Sequence, residues 1–383
     1  MIIDTHIHPY CGTPDRKYFP WRQSWHICMR WAYGGGLTPP FQRDARSLVP
    51  RQEQRMSDPD GAYTIAAMDH QGIDTIVALP VDYDINWGQE SQFTVDEKHA
   101  YLQMLQTKYP GRVLGFSGPD VRRPNSFQLF KRGIEEYGLK GFKMVPGCGY
   151  YPWDERLFPM YEYCLDNDLP VFTCTQWGSG GGYRYARFSD PMHVNDMLCE
   201  FPDLKVVLLH AGHSKLDWFE NSIRTIAGSR GGYIEPDAWL FGYGLESQKS
   251  LMPSNAFNDE ASIVTMLAKA KSVAGTFRIL FGTDSGTGPA YQGDRSGAHF
   301  GWRTWVNWWR KLPETAAKYG HSFTQQDVEW ILGENAARLF KIKPAPEWEW
   351  PYKFGWRYRN PDYNRGGNQE WSPFGPDVEA KRS

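Results

Sequence analysis

His6 and His8, within Asp4-Thr5-His6-Ile7-His8-Pro9, are the residues of this 383-residue chain whose type and spacing point most directly to chemistry. They follow the apolar pair Ile2 and Ile3, so the segment reads as a β-strand. Side chains alternate along a strand with period two. That puts both imidazoles on one face and Thr5 and Ile7 on the other. Two ring nitrogens held side by side on a rigid strand form half of a chelate for zinc, iron or a similar divalent metal. An HxH also arises by chance. It gains weight only if other ligand-type residues sit at the ends of other strands.

The rest of the chain supplies such strands. Thr75–Pro80, Arg112–Ser117, Leu139–Val145, Leu169–Thr175 and Leu204–His210 are short and largely apolar. They are separated by amphipathic stretches with helical periodicity near 95–108, 126–137, 155–167 and 191–201. Gly72 falls at the position that ends a helix before the second strand. Buried apolar strands alternating with helices indicate a parallel sheet covered on both faces. A seventh strand is expected within Gly231–Leu245, around Trp239-Leu240-Phe241. An eighth is expected at Phe277–Asp284, after a helix over 259–273. The count implies an α/β fold, a closed (β/α)8 TIM barrel spanning residues 1–343. A long insertion, residues 10–60, follows the first strand, and insertions of this length tend to be functional loops. Residues 344–383 form an extension in which Trp348, Trp350, Tyr352, Phe354, Trp356 and Tyr358 recur at period two. If extended, it presents six rings on one face. It either packs on its own barrel or wraps a second subunit of a homo- or hetero-oligomer.

In a parallel barrel the active site lies at the carboxyl ends of the strands. His6 and His8 end the first strand, Lys143 lies on the fourth, Cys174 on the fifth, and His210 and Asp284 end the sixth and eighth. An aspartate ending Ile-Leu-Phe-Gly-Thr would cost several kcal/mol to bury without a partner, and a metal held by His6 and His8 would be one. His213 is an extra ligand, an acid/base or, as expected here, a loop histidine facing solvent. Arg22, Trp25, His26 and Arg30 in the insertion could grip a substrate carboxylate or pack as ordinary loop residues.

Composition excludes several classes. A net charge of -2 with no basic cluster gives no reason to expect nucleic acid. No apolar run approaches the roughly 18 residues of a membrane span, and no basic leader precedes the first strand. The six cysteines show no CxxC pair, so they read as reduced thiols of a cytoplasmic protein.

Several segments together resemble the amidohydrolase superfamily, in its amidohydrolase-related branch, which includes aminocarboxymuconate semialdehyde, resorcylate and carboxyvanillate decarboxylases. They are Asp4–His8, Met68-Asp69 with Gly72-Ile73-Asp74, Leu139–Lys143, Phe201–Lys205 through His210-Ala211-Gly212, Phe281–Asp284 and Gly333–Leu339. The resemblance runs from Ile2 to about Ile342. It implies that His6, His8 and Asp284 bind a catalytic divalent metal, zinc or manganese, and that His210 assists catalysis or binds a second metal. The branch's fifth strand places a histidine ligand where this chain has Cys174. Cys174 is either a substitute thiolate ligand or a small buried hydrophobe. Lys143 occupies the position of a lysine common in the branch and is not expected to bridge two metals.

These features imply a metal-dependent lyase or hydrolase, of decarboxylase type, acting on a small carboxylated molecule. Asp284 would shuttle the proton and His210 would stabilise developing negative charge. The first alternative is a subunit of a non-haem iron hydroxylase on the same fold, similar to the aminoisobutyrate hydroxylase. The second is a non-catalytic scaffold subunit. The sequence identifies no substrate-binding residue.

Overall fold

A computed structural model of the chain describes residues 1–29, 46, 49–50, 53, 56–177, 185–240, 259–287 and 302–342. Eight parallel strands organise it. They are β1 Ile3–Pro9, β2 Thr75–Ala78, β3 Val113–Gly115, β4 Phe142–Met144, β5 Val171–Gln176, β6 Val206–His213, β7 Gly232–Glu235 and β8 Ser285–Thr287. They form two four-stranded sheets, in the orders β3-β2-β1-β8 and β4-β5-β6-β7. Two seams close the ring. At one, Ser117 bridges Phe142, and the Lys143 amide donates to the Ser117 carbonyl at 2.7 Å. At the other, Ile234 bridges Ile279, and the Leu280 amide donates to the Ile234 carbonyl at 2.9 Å. The chain is therefore a (β/α)8 barrel, as the alternation of strands and helices implied.

Helices Ala62–Gln71, Val95–Lys108, Ser126–Glu135, Phe158–Asp166, Pro191–Glu200, Leu216–Ala227 and Glu260–Ala274 form the connections. Local sequence fixes their ends. Thr94 and Glu97 make a reciprocal capping box at the start of Val95–Lys108. Gly72 ends Ala62–Gln71 in the left-handed conformation at φ 74°. Along β1 every residue is buried, because one face meets the helices and the other fills the barrel.

Two expected strands lie elsewhere. The seventh is Gly232–Glu235, whereas Trp239 and Leu240 belong to a 3-10 turn, Asp237–Leu240. The turn forms because Pro236 cannot donate to a ladder and the Asp237 amide bonds to the Glu235 side chain at 2.9 Å. In the eighth, Thr276–Arg278 is a 3-10 turn and the regular ladder begins only at Ser285. The residues between take irregular partners. Thr5 donates to the Phe281 carbonyl at 2.9 Å, and Phe281 donates to the Ile331 carbonyl at 3.0 Å. Asn335 Nδ2 donates to the carbonyls of Thr276 and Ile279 at 2.9 and 2.8 Å.

The start of the insertion is tied down by aromatic packing of Tyr10 on Tyr18 and Phe19, with ring centroids 4.8 and 5.3 Å apart. Residues 30–45 and the aromatic extension 344–383 lie outside the described residues. Among the described residues no helix is long and apolar enough to cross a membrane.

Candidate metal centre

Three groups converge in the barrel, His6 and His8 from β1 and Asp284 from just before β8. His8 Nε2 lies 3.0 Å and His6 Nε2 3.3 Å from the same atom, Asp284 Oδ1. Each imidazole is turned by its other nitrogen. His8 Nδ1 is 2.7 Å from the Leu79 carbonyl, which accepts only a hydrogen, so His8 carries its proton there and offers the Nε2 lone pair inward. His6 Nδ1 is 3.1 Å from Glu235 Oε2 and 3.5 Å from Asp237 Oδ2. This leaves His6 Nε2 buried without a hydrogen-bond partner.

His210, from β6, repeats the arrangement. Its Nδ1 is 3.0 and 3.2 Å from the two Asp237 oxygens, and the Cys174 thiol is a second polar neighbour of the ring. Its ring centroid is 5.0 Å from that of His6. His210, at φ 65°, and Asp284, at φ 48°, are both in the left-handed region, which costs a non-glycine residue about 1–3 kcal/mol. The backbone at β6 is held by Trp239 Nε1, which donates to the carbonyls of His210 and Ala211 at 3.0 and 3.3 Å. Gly212, at φ 76°, has no room for a side chain, because a Cβ would fall 2.4 Å from the Trp218 backbone.

The electrostatics separate the histidines by role. Burial drives His6 well below the usual imidazole range, so it is neutral and able to donate a lone pair. Burial would depress His210 too, but the Asp237 carboxylate, helped by Cys174, holds it up to about 10, so it is an imidazolium. Burial opposes ionisation of Asp284, and the cluster of imidazoles around it, the charged His210 among them, holds the carboxyl well below its usual range. Burial pushes Glu235 up, reinforced by Asp237, Asp4 and Asp284. Asp4 is raised to about 7 by burial, although Thr283 Oγ1, Trp302 Nε1 and the His6 amide all donate to it.

These residues fit a divalent cation. Donor atoms about 2.1 Å from one ion and roughly at right angles lie about 3.0–3.3 Å apart, the separations of His8 Nε2 and His6 Nε2 from Asp284 Oδ1. Asp4, Glu235 and Asp237 are buried around the partly exposed Asp284, so the lining is rich in carboxyl groups. His6, His8 and Asp284 form one donor group able to hold a metal, and His6, His210 and Asp237 form another. The second group would need His6 and His210 to use the nitrogens already facing Glu235 and Asp237. The first is the better centre.

Cys174 belongs to neither donor group. It is buried on β5, and Lys143 Nζ donates to its sulfur at 3.0 Å. His213 is not solvent-facing as expected. It is the last residue of β6 and only 5% exposed, edge-on to Trp239 at 5.3 Å, and burial lowers it to about 3. The strand runs three residues past His210, which draws His213 inside. In the insertion, Arg22 donates to the Trp87 and Gly88 carbonyls at 3.2 and 3.3 Å, and His26 packs on Trp87 at 5.0 Å. Trp25 stacks on Trp21 at 5.7 Å, and Arg30 lies outside the described residues. Glu235 and Asp237 were not anticipated from the sequence. Two acids just after a Gly-Gly and a short β-rich run, Gly231–Glu235, were the available signal.

The chain belongs to the amidohydrolase family, whose model matches residues 3–342. No curated protein matches the sequence. Among solved structures it is similar to an uncharacterised TIM-barrel protein from Bordetella bronchiseptica, with 19% identity and a TM-score of 0.55 over 89% of this chain and 98% of that one. It is also similar to 5-carboxyvanillate decarboxylase from Sphingomonas paucimobilis, with 17% identity and a TM-score of 0.53 over 89% and 99%. A third, 2,6-dihydroxybenzoate decarboxylase, shares 15% identity with a TM-score of 0.54 over 89% and 100%. At these identities the likeness is one of fold.

Proposed function

We propose that the protein is a metal-dependent lyase, of decarboxylase type, acting on a small carboxylated and plausibly aromatic molecule. The observation that carries this reading is the convergence of His6 Nε2, His8 Nε2 and Asp284 Oδ1, with the ring of His210 5.0 Å from that of His6. His6, His8 and Asp284 would hold a divalent ion, zinc or manganese, which when bound supplies a Lewis acid for a substrate oxygen.

The chain's own groups then divide the remaining work. Nε2–H of His210 stabilises negative charge that develops on the substrate, and Asp237 keeps that imidazole charged. Asp284 takes a proton from a substrate hydroxyl or water and returns it to the carbon that loses carbon dioxide. The carbon–carboxylate bond breaks, its electron pair stays on that carbon, and the returned proton forms the new carbon–hydrogen bond. The same parts support hydrolysis, in which Asp284 takes the proton of an attacking water. Decarboxylation is preferred because two of the similar structures are decarboxylases of aromatic acids.

A second reading has one observation in its favour. Two histidines and one carboxylate are the donor set of many non-haem iron oxygenases, and Cys174 lies outside it. A hydroxylase subunit is therefore the alternative.

Elemental analysis of protein purified without added metal, beside a His8→Ala variant, tests both. About one equivalent of zinc or manganese, lost in His8→Ala, together with carbon dioxide release from hydroxylated benzoates, supports the lyase. Iron with substrate-dependent oxygen uptake supports the hydroxylase. A centre that takes up no metal when supplied with it refutes both and leaves a scaffold subunit.

A further inference from the structure

We propose that Glu235 is a positioning residue of this centre, fixing His6 with Nε2 turned inward. The proposal rests on the metal-centre reading above. Four features of the structure carry it.

His6 Nδ1 is 3.1 Å from Glu235 Oε2, and with Nδ1–H donating to that oxygen the lone pair of Nε2 is left facing inward. The other carboxyl oxygen, Oε1, accepts the Asp237 amide at 2.9 Å, which fixes the plane of the group. Space is also reserved for it. A Cβ at Gly282 would lie 2.5 Å from both Cδ and Oε1 of Glu235, and the three atoms nearest that point all belong to Glu235. Finally, Glu235 is fully buried, and among the described residues its ion-pair contact is His6. Burying a carboxyl costs several kcal/mol unless a partner compensates. An apolar residue would end a buried strand at less cost, so packing does not account for a glutamate here.

A metal-bound histidine commonly directs its second nitrogen to a carboxylate or carbonyl, which fixes ring orientation and raises basicity. His8 has the Leu79 carbonyl for this, and His6 has Glu235. Asp237 serves His210 in the same way, but without a ligand role for His210 it acts on charge rather than on metal affinity.

The test is a Co(II) titration of the full chain after chelator treatment, read by visible absorption and by competition with a chelator of known affinity. The variants are Glu235→Ala, Glu235→Gln and His6→Ala, with folding checked by circular dichroism. Glu235→Ala is expected to weaken Co(II) binding by about 10–100-fold with the coordination spectrum altered. Glu235→Gln, whose amide oxygen still accepts from Nδ1–H, should recover affinity to within a few-fold of wild type, and His6→Ala should remove tight binding. A merely structural glutamate would show no such rescue in affinity.

Equal Co(II) affinity in Glu235→Ala and wild type overturns the proposal while leaving the metal centre intact. So does a Glu235→Gln variant as deficient as His6→Ala, which would make Glu235 itself a ligand. If wild type binds no Co(II), the centre and the proposal fall together. Should Glu235→Ala not fold, Glu235→Asp replaces it, since its carboxyl stops one methylene short of His6 and should weaken binding where Glu235→Gln does not.

Discussion

Replacing Gly282 by alanine sets a methyl group against the Glu235 carboxyl, and the structure gives that collision both a size and a sign. The new Cβ would stand 2.5 Å from Cδ and Oε1 and 2.8 Å from Cγ of Glu235. No carbon or oxygen tolerates that approach, so the glutamate or the β7/β8 backbone must shift. Overpacking of this kind costs about 1–3 kcal/mol. The backbone itself accepts alanine, because Gly282 is absent from the left-handed residues. Alanine there even gains about 0.4–1 kcal/mol by restricting the unfolded chain. Gly282→Ala alone should therefore destabilise by up to about 2.6 kcal/mol.

In a Glu235→Ala background all three contacting atoms are gone. The same Gly282→Ala change should then be neutral or stabilising by up to about 1 kcal/mol. Urea unfolding of the four proteins at pH 7, metal-free and compared at constant m-value, gives the coupling energy directly. A value of about 1–3 kcal/mol, with the sign of the alanine effect reversed, is expected. Additivity to within about 0.5 kcal/mol would refute the packing of Glu235 against Gly282, and with it the account of how that carboxyl is held.

Three further outcomes follow from buried groups elsewhere. His99 is lowered to about 3 by burial, and its Nε2 accepts the Gly118 amide at 3.2 Å. Unfolded histidine titrates near 6.5, so the unfolded state binds the extra proton between about pH 6.5 and 3. The His99 contribution is thus complete above pH 6.5 and is lost as pH falls, at up to about 1.4 kcal/mol per pH unit. His99→Gln, followed by urea midpoints from pH 7 to 4.5, should flatten that slope. Trp239→Phe removes the donor to the His210 and Ala211 carbonyls. It should cost about 1–3 kcal/mol in unfolding and lower turnover by more than the loss of folded protein explains. Cys174→Ala should retain bound metal in elemental analysis, since its sulfur is partnered by Lys143 and lies outside the donor groups. Loss of metal there would make the thiolate a ligand.

What was legible in the sequence was local. β1 to β6 announce themselves as apolar runs, and His6, His8, His210 and Asp284 stand at or beside strand ends where chemistry belongs. The misplaced elements depend on distant partners. Gly232–Glu235 is a four-residue strand whose identity comes from pairing with Val206–Leu209, and its sequence is less apolar than the Trp-Leu-Phe run nearby. Phe277-Arg278 reads as strand, but Asn335, 59 residues beyond Thr276, holds that turn instead. Glu235 and Asp237 were missed for the same reason, because an acid's role follows from the imidazole that meets it across the barrel. His213 looked exposed because nothing in His210-Ala211-Gly212-His213 tells how far the strand continues.

The two seams that close the ring are not equivalent. At β3/β4 the closure is plain backbone bonding, Ser117 to Phe142, with Lys143 the nearest group of the centre. At β7/β8 the backbone contributes a similar single bridge, Ile234 to Ile279, but His6 also reaches across to Glu235 and Asp237. His6, His8 and Asp284 all stand on the first half-barrel, whereas the carboxyls that orient His6 stand on the second. An ion held by His6 would fix that imidazole and, through Nδ1, its contact with Glu235 across this seam. Amide hydrogen exchange at Leu280 should slow when the centre is filled, while exchange at the Lys143 amide changes little. The His6–Glu235 contact would then serve both the proposed centre and one edge of the barrel.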